Sequence, residues 1–381
     1  MVLKRNQNEK LAETFGDRLL TDKHELVLSA LDVGSLPKQV GWLMNTTPDA
    51  IVQPLTPEEI SELYKFAQKE KVPLVPRAAG TSGYAGAIPR KGGVVVDMRR
   101  MNKILEVDRE NLTATVEPGI PWATLQFELN RQGLDIRCYP SSGLSATVGG
   151  WCAQGGDGIG SLKYGTVNKN IVKMEVVLPN GKIVNTTDTD LFCDTEGILG
   201  IITKVTLKIK ELTPMKVIVS SFGENYQMML AIEHILEEGP LPFTIKFEES
   251  KYTDLKKRIW EGDKPFPFPV HHCTIMVVYE GDEDEIEEGL EAVRHATEMY
   301  RGVVYPDWVA EHEWHERYYP MKIKKRGPTL VVGQAFAPLE NLAALLDDFQ
   351  FEQASAQAGI DGYVNSKTGV TMMGYFLEDE R

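Results

Sequence analysis

The sequence predicts an α+β chain built from two folded domains. Three observations carry that expectation. Short apolar runs alternate with amphipathic stretches along the whole length, the mark of mixed strands and helices. Glycine-rich blocks crowd the first half and thin out in the second. At Thr213-Pro214 the composition turns richer in charge and aromatics. These divide the 381 residues into an arm (1–43), a first domain (44–213) and a second domain (214–381), each domain long enough to bury its own core.

The arm begins with a helical spacing over Asn8 to Leu20 (Leu11, Phe15, Leu19) and continues into a polar loop around Asp32 to Lys38. Ala50 to Val52 reads as a short strand. Thr56-Pro57-Glu58-Glu59 then has the form of a helix start, with a capping hydroxyl, proline at the first helical position and an acidic first turn. Ile60, Leu63, Tyr64 and Ala67 give that helix one apolar face, and it should end near Lys69 to Lys71. Val72, Leu74 and Val75 lead as a buried strand into VPRAAGTSGYAGAIP (Val75 to Pro89), and VVVD (Val94 to Asp97) is the next strand. So many missing side chains let a backbone turn sharply, approach a bulky ligand and expose successive N–H groups to an anion such as a dinucleotide's diphosphate.

A hairpin is expected over Ile104 to Val116, turning at Asp108 to Asn111, and a helix over Trp122 to Gln132 ending at Gly133. The second glycine block, Tyr139 to Asn170, is too poor in large side chains to make much core of its own. Ile171 to Leu178, the turn Pro179 to Lys182 and Ile183 to Asn185 form a hairpin. The third block, LFCDTEGILGIITKVTLKI (Leu191 to Ile209), sets Glu196 beside glycine and runs into a long strand. Beyond the boundary, strands are expected at 218–222, 243–248, 273–279, 329–336 and 370–376. Helices are expected at 226–238, 253–260, 282–300 and 339–358, on one face of an antiparallel sheet.

Lys plus Arg is 41 against 55 Asp plus Glu, a net charge of −14, which argues against general nucleic-acid binding. Cys138, Cys152, Cys193 and Cys273 are scattered without a CxxC pair, so the chain supplies no evident zinc or iron–sulfur site and fits a reducing compartment. MVLKRNQNEK lacks the apolar core of a signal peptide, and no apolar run approaches the ~18 residues of a membrane span. A cytoplasmic protein is the expectation.

The three blocks VPRAAGTSGYAGAIP, PSSGLSATVGG…GGDGIGSLKYG and EGILGIITKVTL, in this order, closely resemble the FAD-binding domain of the vanillyl-alcohol oxidase and p-cresol methylhydroxylase flavoproteins, in the branch of the glycolate oxidase and D-lactate dehydrogenase FAD subunits. The resemblance covers Met44 to Thr213. It implies a two-subdomain FAD-binding domain followed by an α+β cap domain with an antiparallel sheet. By position, Arg77, Ala78, Ala79, Gly80, Thr81, Ser82 and Gly83 would wrap the FAD diphosphate. Pro140, Ser141 and Ser142 would run along the flavin and ribityl chain. Thr147, Gly149 and Gly150 would make a second diphosphate contact, followed by Ala153, Gly158 and the turn at Tyr164 and Gly165. Glu196, Gly200, Ile201 and Ile202 would reach the adenosine side. Relatives with covalent FAD carry a histidine where this chain has Thr81, which implies non-covalent FAD. Trp151 and Asp157 stand where small or amide residues are common.

An FAD dehydrogenase needs a base and a grip on its substrate. The richest stretch is Glu313 to Leu330, where Arg317 could bind a carboxylate bidentately, with Lys322 beside it and His315 as a base. The same stretch also fits a solvated basic loop. His271-His272-Cys273 alternates across a strand, and His312-Glu-Trp-His315 is not HExxH, so neither has the spacing of a metal site. Gly362 to Phe376 lacks histidine where metal-using 2-hydroxyacid dehydrogenases of this branch carry a glycine- and histidine-rich segment. The resemblance implies oxidation of a small 2-hydroxy acid, with electrons passed to an iron–sulfur partner. The alternative is a non-catalytic electron-relay flavoprotein subunit of a larger redox complex. An FAD-less scaffold would require the glycine blocks to hold nothing.

Overall fold

The structure, a computed structural model, describes residues 3–34, 46–260, 264–318, 320–326, 329–348 and 356–378. Part of the expected arm, 35–43, and the last three residues lie outside them. The chain divides into two units. One comprises 1–137, 142–156 and 167–211, and the other 138–141, 157–166 and 212–381.

The first unit opens with helix α1 (Arg5–Phe15), strand β1 (Leu19–Leu20) and helix α2 (Lys23–Leu28). The helix expected over 8–20 therefore stops at Phe15, and Leu19 and Leu20 pair antiparallel with Val52 and Ile51 of β2 (Ala50–Val52). Helix α3 (Pro57–Glu70) starts as its residues dictate: the Thr56 hydroxyl accepts the Glu59 N–H at 3.3 Å, and the helix ends with Lys71 left-handed at φ 56°. Removing that cap in Thr56→Ala is expected to cost about 1 kcal/mol, readable as faster hydrogen exchange in the first turn. Strands β3 (Leu74–Arg77) and β4 (Val94–Asp97) complete a sheet of order β1-β2-β4-β3, in which β2, β4 and β3 run parallel. Val94, Val95 and Val96 are wholly buried, as a central parallel strand requires.

An antiparallel sheet of order β5-β6-β10-β8-β9 follows, made of β5 (Ile104–Asp108), β6 (Thr113–Val116), β8 (Ile171–Val177), β9 (Ile183–Thr186) and β10 (Ile201–Glu211). Helix α4 (Trp122–Asn130) leads to β7 (Leu134–Ile136), which joins the far end of β10. The second glycine block contributes more core than expected. Its Val148–Gln154 forms helix α5, with Val148, Trp151 and Cys152 buried and Trp151 edge-on to Trp122 at 5.3 Å.

The second unit is one antiparallel sheet of seven strands, order β14-β11-β13-β12-β16-β17-β15. Its strands are β11 (Met215–Phe222), β12 (Thr244–Glu248), β13 (Cys273–Glu280), β14 (Val303–Val304), β15 (Thr329–Pro338), β16 (Ala356–Ser366) and β17 (Gly369–Glu378). The short helix α6 (Ser161–Tyr164) belongs to this unit and buries Leu162 in its main core. Helices α7 (Asn225–Glu238), α9 (Glu283–Met299) and α11 (Leu342–Asp348) share that core with Ile245, Phe247, Ile275 and Val277 on one face of the sheet. Helix α8 (Ser250–Arg258) packs on the opposite face, where Tyr252 and Leu255 meet Tyr375 and Leu377. The expected single covered face is thus two.

Two further expectations change. Among the described residues, the helix expected to reach Ala358 covers Leu342–Asp348, and residues from Ala356 are strand β16. That strand carries glycines where neighbours leave no room. A Cβ on Gly359 would lie 2.8 Å from the Tyr252 backbone. The basic loop expected from Glu313 begins inside helix α10 (Asp307–His315) and contains a 3-10 turn at Pro320–Arg326.

The face under α8 holds a buried ionic lattice. Lys246 Nζ donates to Glu248 Oε1 at 2.6 Å and lies 3.4 Å from Asp361 Oδ2. Lys256 Nζ donates to Glu248 Oε2 at 2.8 Å and to Glu313 Oε2 at 2.5 Å. None of the five side chains is more than 7% exposed by residue. The lattice ties α8 and α10 to the middle of the sheet.

Candidate functional site

The first unit contains a cleft at the carboxyl ends of its parallel strands, where open α/β sheets receive ligands. All three glycine blocks supply its walls. Arg77 comes from the end of β3, and Ala78, Ala79, Gly80, Thr81 and Ser82 from the loop after it. Ser142, Thr147, Gly149, Gly150, Trp151 and Ala153 come from the second block. Glu196, Gly200, Ile201 and Ile202 come from the approach to β10. The runs lie far apart in sequence and meet because β10 is the centre of its sheet and delivers Ile201 and Ile202 beside the β3 loop.

Small residues here are demanded by close approach. A Cβ on Gly150 would sit 2.9 Å from the Ala78 Cβ and 3.1 Å from the Thr147 hydroxyl, and one on Gly86 would sit 2.7 Å from Glu196 Oε2. A Cβ on Gly149 would collide with Pro118, whose carbonyl accepts the Gly149 N–H at 2.8 Å. Thr147 fixes the start of α5 by accepting the Gly150 N–H at 3.2 Å. Among the described residues, the backbone N–H groups of Ala79, Gly80, Thr81 and Ser82 have no acceptor. A loop that leaves consecutive donors unpaired beside a cleft of tiny side chains fits a diphosphate group.

Six of the residues expected at the cofactor are not among those that line this cleft of the first unit. Gly83 is not among the residues lining the cleft. Its backbone packs instead against Gly34. Pro140, Ser141, Gly158, Tyr164 and Gly165 belong to the second unit. There the Gly158 N–H is held by the Ser161 hydroxyl at 2.9 Å, the Tyr164 hydroxyl donates to Glu280 Oε1 at 2.5 Å, and Gly165 ends α6 at φ 79°. Asp157 is in that unit too, accepting from Thr371 Oγ1 at 2.7 Å and Asn365 Nδ2 at 3.2 Å.

The expected catalytic residues all follow α10 or close it. Arg317 stacks on Trp314 and Tyr318, with 4.0 and 4.1 Å to their ring centres. Its Nε donates to the Tyr139 hydroxyl at 3.1 Å, its Nη1 to the Trp314 carbonyl at 2.7 Å and its Nη2 to the Tyr318 hydroxyl at 2.9 Å. Three of the five donors of a guanidinium are so engaged, and the rest suffice for a carboxylate. Lys322 is paired with Glu316, and the His315 ring binds the Glu311 carbonyl of its own helix through Nδ1 at 2.7 Å. Burial lowers the neighbouring His312, which stacks on Trp260 with ring centres 4.3 Å apart. His271, His272 and Cys273 diverge: they bind Asp254, Ser221 and the carbonyls of Phe222 and Glu224. Among the described residues no three His, Cys, Asp or Glu side chains are grouped to hold a metal ion, and no helix is long and apolar enough to cross a membrane.

Sequence reasoning missed the aromatic cage of Arg317 and the buried tyrosines near it. Tyr363 pairs in register with Lys246, and its hydroxyl is buried without a partner among the described residues. Burial pushes that phenol well above its usual range, against the pull of Lys246 and Arg317. The alternation of Asp361 and Tyr363 with Ile360 and Val364 was the available signal, and the glycines of β16 obscured it.

Residues 48–187 match the family described as FAD binding domain. The chain is 34% identical over 212 residues to the glycolate oxidase subunit GlcD of Bacillus subtilis (strain 168), covering 52% of this chain and 45% of the relative. It is 34% identical over 213 residues to the mitochondrial D-lactate dehydrogenase [cytochrome] of Arabidopsis thaliana, covering 53% and 36%. The chain thus spans less than half the length of these two curated relatives. Among solved structures, an alkyldihydroxyacetonephosphate synthase superposes with TM-score 0.84 at 22% identity, over 100% of this chain and 82% of the other. p-Cresol methylhydroxylase with substrate bound superposes with TM-score 0.77 at 16% identity, over 99% and 84%. At such identities these two speak for the fold alone, and the expected fold class is borne out.

Proposed function

We propose that this chain, whose residues 48–187 match the family described as FAD binding domain, is an FAD-dependent oxidoreductase acting on a small 2-hydroxy acid. The observation that carries the proposal is the cleft of the first unit, with its unpaired N–H groups at Ala79 to Ser82 and its walls of glycine and alanine. Bound there, FAD would supply a hydride acceptor for the oxidation. The chain's own contribution is to bind and orient. Ala79 to Ser82 would hold the diphosphate through backbone donors, and Gly150 and Gly200 would leave room for it. Thr81, in place of a histidine, supports a non-covalent attachment.

The substrate class is supported by relatives named as a glycolate oxidase subunit and D-lactate dehydrogenases, and by Arg317 in the second unit. That guanidinium is pre-oriented by three aromatic residues, so it would lose little freedom in gripping a carboxylate. Electrons would leave to a separate acceptor, and an iron–sulfur protein is the class proposed, since the four cysteines here are buried and dispersed. That one relative is named a subunit is consistent with such a partner.

The test is anaerobic mixing of the FAD-loaded protein with a panel of 2-hydroxy acids while the flavin absorbance is followed. Bleaching by at least one acid is expected. Arg317→Ala should bind FAD as the parent does yet lose roughly 100-fold in kcat/KM, the scale of removing one partner of a charge-assisted clamp. Failure of every acid to bleach the flavin, with fast reduction by a partner protein, would favour the electron-relay reading.

A further inference from the structure

We propose that residues 31–34 form a strap that holds the 78–83 loop in its FAD-binding shape, with Arg77 as the side chain that joins the two. The inference rests on the FAD-binding assignment of the cleft and adds to it a set of positioning residues outside the cleft.

Arg77 closes β3 and lines the cleft, so a role as a phosphate ligand would be the first reading of its charge. Its guanidinium is committed elsewhere: Nη2 donates to the Leu31 carbonyl at 2.8 Å and Nη1 to the Ala87 carbonyl at 3.4 Å. It runs beneath Gly80, whose φ is 65°. A Cβ there would lie 2.7 Å from Arg77 Cζ, so this glycine is required by the arginine under it as well as by any ligand above. The strap also engages the far end of the same loop through its backbone. The Val33 N–H donates to the Ser82 carbonyl at 3.1 Å, and Gly34 lies flat on Gly83, where a Cβ would come 2.8 Å from the carbonyl carbon.

Asp32 shapes the strap itself. Its Oδ1 accepts the Gly34 N–H at 2.9 Å, while Oδ2 is buried without a hydrogen-bond partner among the described residues. Arg77 also faces Asp97 and Arg99, and it is pulled down by burial against the attraction of Asp32. The 78–83 loop is therefore gripped at both ends, at Arg77 and at Ser82-Gly83, while the donors between remain free. A short run of small residues has many conformations of similar energy, and few of them present consecutive N–H groups to one point. Holding its two ends selects among them.

Coupling of this kind is reciprocal. If docking of the strap raises FAD affinity by some factor, FAD must tighten the strap by the same factor. The experiment measures both sides on the full chain. Amide hydrogen exchange at 31–34 is recorded without ligand, with FAD and with ADP, which offers the diphosphate without the flavin. FAD dissociation constants are then measured for the parent and for Gly34→Ala, a substitution outside the cleft. Exchange at 31–34 should slow about 10-fold with either ligand, and Gly34→Ala should weaken FAD about 10-fold, within the usual range of coupling. Exchange that ignores both ligands overturns the strap, as does a folded Gly34→Ala that binds FAD within about twofold of the parent. If that variant misfolds, the exchange of the parent decides alone. A parent chain that binds neither FAD nor ADP refutes the cofactor assignment, a result distinct from a chain that binds FAD with an unresponsive strap.

Discussion

Lys256→Met is expected to destabilise the second unit by about 3–5 kcal/mol, the range seen when one partner of a buried ion pair is removed. The reason is the charge left behind. Glu248 and Glu313 both accept from Lys256, and Asp361 already shares Lys246 with Glu248. Without Lys256, three buried carboxylates face one buried cation, and Glu313, whose Oε1 has no partner among the described residues, loses the Lys256 donor at Oε2. The measurement is hydrogen exchange in the strand Thr244–Glu248, because a chain of two units need not unfold in one step. Lys257→Met, one residue along the same helix but exposed, should change stability by less than about 0.5 kcal/mol. Lys256→Met combined with Glu313→Gln should cost less than the two single changes added together, since the second substitution removes the charge that the first strands. A loss under about 1 kcal/mol for Lys256→Met would show that the lattice does not hold α8 and α10 to the sheet.

The same lattice sets an acid limit. Burial alone would raise Glu248, but Lys246 and Lys256 together overcome it and hold the carboxyl at about 2, against an ordinary value of 4.5. A carboxyl depressed in the folded state stabilises the fold above its unfolded value and loses that contribution as pH falls through the folded one. The second unit should therefore soften as pH drops from 4.5 towards 2. Asp361 is raised by burial, so it takes up its proton earlier in the descent, and that uptake favours the folded state and offsets part of the loss from Glu248.

What could be read in the sequence follows from how local each signal is. Thr56-Pro57-Glu58-Glu59 declares a helix start because the cap, the fixed φ and the acidic turn act within four residues, and α3 begins there. Val94 to Asp97 declares a buried strand for a similarly local reason. The three cleft-forming blocks are legible because missing side chains are visible one residue at a time, although their convergence depends on β10 and is not. The lattice was hidden. Lys246 and Glu248 in TIKFE alternate with apolar residues as on any half-exposed strand, and only α8 and α10, which come later in the chain, cover them. Strand β16 was hidden for the opposite reason: Gly359 and Gly362 look like breakers, yet they make room for Tyr252 of α8 and for the ring of Phe247, the paired residue on β12. Arg317 stood out by charge, but its cage of Tyr139, Trp314 and Tyr318 joins residues 178 positions apart.

Gly150→Val is expected to abolish FAD binding while leaving the chain folded. The residue lies in α5 and lines the cleft opposite Ala78. A Cβ at this position would already stand 2.9 Å from the Ala78 Cβ, which has no flexible end to move aside, and the two γ-methyls of valine would extend beyond it. The helix has no objection of its own: replacing a helical glycine with any ordinary residue gains a few tenths of a kcal/mol in propensity, which offsets part of the strain. The strain falls on the contact between α5 and the β3 loop, so what must shift is the loop that carries the proposed diphosphate donors. Purified Gly150→Val should be colourless, with an FAD affinity at least about 100-fold weaker, a loss of roughly 3 kcal/mol. Its far-UV circular dichroism should match that of the FAD-free parent. Gly150→Ala should fall between the two, because one methyl can be accommodated by a shift of α5 against the Thr147 cap. A yellow Gly150→Val protein with parental affinity would mean that FAD does not lie between α5 and the β3 loop, and the proposed positions of the diphosphate contacts would fall with it.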